Sequence, residues 1–167
     1  MTTNLFPPRY SNEVLNNFTS GHEAVDFFDF VSNFVSLEAC ISVVGILYPA
    51  FSEEKHCVYW YSKTDKGRLL YEGKFPTGYD SPKEVERYRN NFNLSEFFRC
   101  WEKPSEKYTK KAIEDADAEL LAFFAEQLSQ AWLARLKELF PDREFEFEIG
   151  MDILDEAGFC MTFSQKK

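Results

Sequence analysis

The feature that most constrains this chain is a long apolar period that stops and gives way to a different one. From about Thr109 to Phe140, Ile113, Leu120, Leu121, Phe124, Leu128, Trp132, Leu136 and Leu139 recur at three- and four-residue steps, the spacing of one helix face. Pro141-Asp142 breaks the period. From Glu144 to Ile149 the pattern then alternates strictly, with Phe145, Phe147 and Ile149 on one face and Glu144, Glu146 and Glu148 on the other. This predicts a half-buried strand with one dry and one wet side, and Phe159 to Phe163 supplies its antiparallel neighbour. The expected fold is α+β: several helices packed on a small antiparallel sheet, with one long central helix (about 109–140) followed by a β-hairpin.

The rest of the chain fills in around that unit. Residues 1–19 read as a partly ordered N-terminal arm and 20–165 as a single α+β domain. Ser20 and Glu23 have the spacing of a capping box, which opens a helix to about Val35. Phe27, Phe28, Phe30 and Phe34 surround that helix on more than one side, so it is expected to be sandwiched between other elements; the alternative is an exposed aromatic patch. Leu37, Cys40, Ile41, Val44, Leu47 and Tyr48 fall at helical spacing and suggest a second helix and a core segment. Its β-branched content keeps a strand open, and Pro49 ends either. His56 to Tyr61 has strand composition, and Thr64 to Gly67 supplies a turn into Arg68 to Glu72, predicting a hairpin. Ser81, Pro82 and Glu84 start a helix to about Asn90, and Asn93 with Glu96 starts a short one through Phe97, Phe98 and Trp101.

Charge and chemistry narrow the function. The 167 residues carry a net charge of −9, which disfavours nucleic acid and anionic membranes as partners. Met1 to Asn17 lacks the apolar stretch of a secretory signal, and Ala39 to Tyr48 is too short to span a bilayer. Cys40, Cys57, Cys100 and Cys160 form no CxxC pair, as expected of free thiols in a reducing cytoplasm. No nucleophile elbow, phosphate loop, dinucleotide fingerprint or zinc-protease motif occurs, so no catalytic residue, cofactor or metal site is predicted. His56-Cys57 is the nearest approach to a nucleophile and base, but strand neighbours point to opposite faces.

Carboxylates are the abundant functional groups. Ala112 to Glu156 holds thirteen acids against three bases, a net of −10, which leaves the remainder at +1. Glu144, Glu146 and Glu148 stand about 6.6–6.8 Å apart on one strand face. Such a row is either a solvated face or a docking surface for a basic protein, since clustered charge speeds encounter and rejects wrong partners. The candidate partner-binding residues are Glu144, Glu146, Glu148, Asp152, Asp155 and Glu156.

The pattern Trp132-x3-Leu136-x3-Phe140-Pro141-x-Arg143-x-Phe145, closing with Thr162-Phe163-x-Gln165, resembles small bacterial proteins of the immunity type, encoded beside polymorphic secreted toxins. Tyr48-Pro49-x-Phe51 and the run Val85-Glu86 to Asn91, Leu94 and Phe97-Phe98 are similar to segments in the middle of such proteins. The resemblance implies a small α+β protein without enzyme activity that neutralises a toxin by binding it. A nuclease-type toxin needs positive charge to hold its substrate, and an acidic protein suits that surface. Two other classes stay open. One is a small-molecule-binding or hydrolytic domain with a pocket among Gly73 to Asp80, His56 and the aromatics. The other is a homo-oligomer built on exposed phenylalanines. The oligomeric state expected is monomer or homodimer.

Overall fold

A computed structural model describes residues 26–61, 81–99 and 110–166. The chain divides into two compact units, residues 1–43 and 44–167. The expected arm, the Ser20 box, the turn and strand at 64–72, the loop 73–80 and Trp101 lie outside the described residues.

The first unit holds α1 (Phe27–Phe34) and most of α2 (Leu37–Leu47). Asp26 starts α1: its carboxylate accepts the Asp29 N–H at 2.9 Å, satisfying one of the orphan donors of the first turn. The described helix therefore begins at Phe27. No residue of α1 is buried and Phe28 is 87 % exposed, so the expected sandwiching is overturned. Segment 37–47 is helical, as its spacing indicates, but no residue of α2 is fully buried. The face carrying Leu37, Ile41 and Val44, expected in a core, is exposed; Ile46 and Leu47 at its end pack on the core of the second unit.

In the second unit β1 (Ala50–Glu54) and β2 (Cys57–Tyr61) form an antiparallel hairpin. Lys55 and His56 both take positive φ, 51° and 68°, as a two-residue turn of the twisted hairpin kind requires. β1, which the sequence did not announce, pairs with β2; the strand expected at 68–72 as the partner of 56–61 lies outside the described residues. The turn is made by Lys-His, without the Gly or Asn that announces one, and Pro49 hid the strand behind it.

α3 (Pro82–Arg89) starts at the predicted box: Ser81 Oγ accepts the Glu84 N–H at 3.3 Å and Glu84 accepts the Ser81 N–H at 3.1 Å. β3 (Phe92–Asn93) leads into α4 (Leu94–Arg99), where Asn93 caps through the Glu96 N–H at 3.0 Å. The long helix α5 (Lys110–Leu139), β4 (Phe145–Met151) and β5 (Phe159–Gln165) follow as expected. The three-stranded sheet has the order β3-β5-β4, all antiparallel, with Phe147 opposite Phe163 and Glu148 opposite Thr162.

Alternation sorts the sheet's two faces. Phe145, Met161 and Phe163 pack with Leu128, Trp132 and Leu136 of α5 in one core. The aromatic excess is spent here: Phe163 meets Phe51, Trp132, Phe145 and Phe147, with ring centroids 5.4–6.3 Å apart. Buried Trp132 donates its indole N–H at 2.8 Å to the carbonyl of Ile46, an orphan acceptor of the last turn of α2. Among the described residues no helix is long and apolar enough to cross a membrane.

Candidate functional site

The opposite face of the sheet is where the predicted acidic row lies, and it is only half wet. On β5, Thr162 and Ser164 are buried although they point away from the aromatic core. α3 lies beside them, and the Thr162 hydroxyl donates to the carbonyl of Arg87 at 2.6 Å. The expected solvated side is therefore limited to β4. Beside α3, Lys83 reaches Glu146 at 2.5 Å, and Arg87 donates through Nε and one Nη to the same oxygen of Glu148, at 3.0 and 2.5 Å.

A match of repeats makes this double contact possible. Helix residues four apart stand about 6 Å apart on one face, and strand residues two apart stand about 6.7 Å apart. Lys83 and Arg87 thus meet Glu146 and Glu148 in register. The Lys83 ammonium, by hydrogen bond and charge, holds the Glu146 carboxyl below its usual range, with Lys166 and Arg87 adding to the effect. A cleft of about 350 Å³ lies between these pairs, with Phe147, Thr162 and Ser164 among its walls.

The six candidate residues fall in two stretches. Glu144, Glu146 and Glu148 alternate from just before β4 to its middle, whereas Asp152, Asp155 and Glu156 lie beyond its far end, Asp152 about 13 Å from Glu148 at strand rise. The second group is largely structural. Asp152, at φ 55°, accepts the Gly158 N–H through Oδ1 at 3.0 Å and donates its own N–H to the Gly158 carbonyl at 2.9 Å, closing the loop. Glu156 accepts from Asn93 at 3.3 Å. Glu144 and Asp155 are exposed, and their carboxylates have no partner among the described residues.

Sequence reasoning missed the cations. The average of +1 outside the acidic segment conceals a block from Lys55 to Lys111 with thirteen bases against eight acids, and α3 belongs to it. The i,i+4 spacing of Lys83 and Arg87 on a helix with a firm start was the available signal. Within the acidic segment, Arg135 pairs with Glu138 at 2.7 Å, and Arg143 pairs with Glu53 at 2.6 Å while lying over the Phe140 ring.

A second pair on α3 was also missed. Glu86 and Asn90, one turn apart and both fully buried, occupy the gap between β2 and β5. Glu86 accepts the N–H groups of Val58 and Gln165 at 2.7 and 2.8 Å; Asn90 accepts the Trp60 N–H at 3.2 Å and donates to the carbonyls of Val58 and Phe163 at 2.9 and 3.1 Å. Two side chains thereby satisfy the backbone groups that β2 and the part of β5 beyond its short pairing with β3 turn toward each other. They also fix α3, and with it Lys83 and Arg87, over the acidic row.

His56 sits exposed in the β1–β2 turn, 4.0 Å from Glu53, whereas Cys57 is buried with its Sγ 3.9 Å from the Pro82 carbonyl. Cys40, Cys57 and Cys160 are free thiols. Among the described residues no group of three His, Cys, Asp or Glu side chains is placed to hold a metal ion. Comparison of the chain with protein-family models, with curated proteins and with solved structures yields no match.

Proposed function

We propose that this chain is a non-enzymatic binding protein of the immunity type, acting in the cytoplasm, that neutralises a basic, nuclease-type toxin by docking it on the β4 acidic row. The observation that carries this reading is the register of Lys83 and Arg87 on Glu146 and Glu148. The row already accepts two cations presented at helical spacing, so a basic helix or loop of a partner has the same geometry to use. Glu144 extends the row with a carboxylate that has no partner among the described residues. Exposed ion pairs of this kind contribute little to stability, so exchanging one cation for another costs little. α3 then acts as a built-in competitor that keeps the row from capturing weakly basic proteins.

The test is inhibition of the toxin domain encoded beside this chain, measured with wild-type protein and with the Glu144→Lys/Glu146→Lys/Glu148→Lys variant. Stoichiometric inhibition that is lost in the variant supports the reading. Equal inhibition by both proteins moves the docking site elsewhere, and no inhibition by wild type removes the proposed function.

A further inference from the structure

One edge of the three-stranded sheet is open. The Lys166 N–H donates to the Glu144 carbonyl at 2.8 Å and the Asp152 N–H to the Gly158 carbonyl at 2.9 Å, so the even-numbered residues of β4 turn their backbone groups toward β5. The odd-numbered ones turn theirs away, and β4 ends the sheet. Phe145 is buried, which closes the near end. The N–H and C=O groups of Phe147, Ile149 and Met151 have no partner among the described residues, and Met151 is 62 % exposed. Edge strands are normally blunted by proline, lysine, a bulge or a short length. β4 has none of these: its seven residues pair with β5 in unbroken register. The charges it does carry, Glu146 and Glu148, are of one sign on one face.

The edge and the row together identify the occupant. Unpaired N–H and C=O groups at strand spacing are met in full only by another extended backbone. A second β4 brought up about a two-fold axis would set even residue against even residue in every register, so carboxylate would face carboxylate. A strand with lysine or arginine at every second position faces them with the opposite charge. It also finds open acceptors. Lys83 takes Oε1 of Glu146 and Arg87 takes Oε2 of Glu148, while Glu146 Oε2 and Glu148 Oε1 have no partner among the described residues. Even positions would be the closely spaced pairs of the new ladder, with Cα atoms about 4.5 Å apart, which brings a cation across the edge within reach of those oxygens. The other face of the added strand lies beside Phe147 and Ile149, which are only partly covered, and calls for apolar residues.

We infer that β4 takes up an extended segment of the partner as a further antiparallel strand, its basic side chains over Glu146 and Glu148 and its apolar ones beside Phe147 and Ile149. The inference rests on the reading above for the partner's charge, and it adds the conformation in which the partner binds.

The experiment is titration of the full chain with an alternating Lys/Val peptide. A Glu/Val peptide of the same pattern and a Lys/Val peptide N-methylated at its valines, which keeps the charge and loses the ladder donors, serve as the other arms. Amide hydrogen exchange of the bound protein and sedimentation of the protein alone complete it. Expected are binding of the Lys/Val peptide, a loss of about tenfold or more on N-methylation, and slower exchange at Phe147, Ile149 and Met151. Met151→Pro, which removes an outward N–H and leaves the β5 ladder intact, should weaken binding about fivefold. Unchanged exchange at Glu146 and Glu148, whose amides face β5, checks that this variant is folded. Absence of binding, equal affinity for the N-methylated peptide, or no slowing at the three edge amides overturns strand addition, and leaves the acidic row standing where β4 reversal still abolishes toxin inhibition. Toxin inhibition unaffected by β4 reversal, with the edge amides slowed by the Lys/Val peptide, keeps the strand and rejects the reading above. Equal binding of the Glu/Val peptide overturns the basic occupant. A dimer of the protein alone that Met151→Pro dissociates assigns the edge to a second copy and overturns the inference.

Discussion

Glu86 holds Gln165 at two points: Oε2 accepts its backbone N–H at 2.8 Å and Oε1 accepts its side-chain amide at 2.5 Å. The same Oε1 accepts the Val58 N–H, so one buried carboxylate ties β2 to β5 without a strand between them. Removing it leaves two backbone donors without acceptors in a dry place, each costing about 1–3 kcal/mol. Glu86→Ala is therefore expected to lose about 3–5 kcal/mol in urea unfolding at pH 7. A loss below about 1 kcal/mol would show that water replaces the carboxylate and that the bridge is dispensable.

Gly158 has φ 115°, and a Cβ added there would come within 3.0 Å of the Ser95 Cβ and 3.1 Å of its Oγ. That hydroxyl accepts the Phe159 N–H at 2.9 Å, so it has little freedom to retreat. Gly158→Ala is expected to destabilise the protein by about 1–3 kcal/mol, read as a lower thermal midpoint. A midpoint equal to wild type would show that the loop relaxes.

Glu146 has a folded-state pKa lowered by Lys83. The sign follows from proton linkage. A carboxyl with a depressed folded pKa contributes stability that is present above its unfolded value, near pH ~4.3, and is lost as pH falls through the folded value. Lys83→Met should thus lower stability at pH 7 slightly, by under about 1 kcal/mol because the pair is exposed, and flatten the acid limb below about pH 5 by the same small amount. Identical profiles for variant and wild type would place Glu146 outside the acid transition.

Burial pushes the Cys160 thiol up to about 11, with Glu156 adding to the effect. At pH 8 it is almost wholly protonated, and the thiolate is the reactive form. Cys160 should resist a thiol-specific reagent at pH 8 until denaturant is added, as followed by peptide mapping. Fast labelling of the native protein would show that the end of β5 opens readily.

How far the sequence was legible depended on whether a segment's partner was local. α5, β4 and β5 were readable because Leu128, Trp132, Phe145 and Phe163 obey one period each and pack on one another. The Ser81 and Asn93 starts were readable because caps are satisfied within four residues. The β1–β2 hairpin was not, because Lys55 and His56 take left-handed backbone without a residue type that prefers it. The acidic row was visible as alternation, but its partial neutralisation depended on α3 lying across β5. That position is set by Glu86 and Asn90, two polar residues that in sequence look like any exposed pair. The loop acids Asp152 and Glu156 were grouped with the row by charge alone, and their work is to close and anchor the turn.

The central claim, that the β4 row is a docking surface which α3 keeps occupied, is tested most directly by one titration series. The Kd for the proposed toxin partner is measured across salt concentrations with wild type, with Glu144→Lys/Glu146→Lys/Glu148→Lys and with Lys83→Ala/Arg87→Ala. The predicted result is affinity that falls with salt in wild type, a loss of about a hundredfold or more on reversal, and tighter binding when the two α3 cations are removed. Equal affinity and equal salt dependence in all three proteins would contradict it.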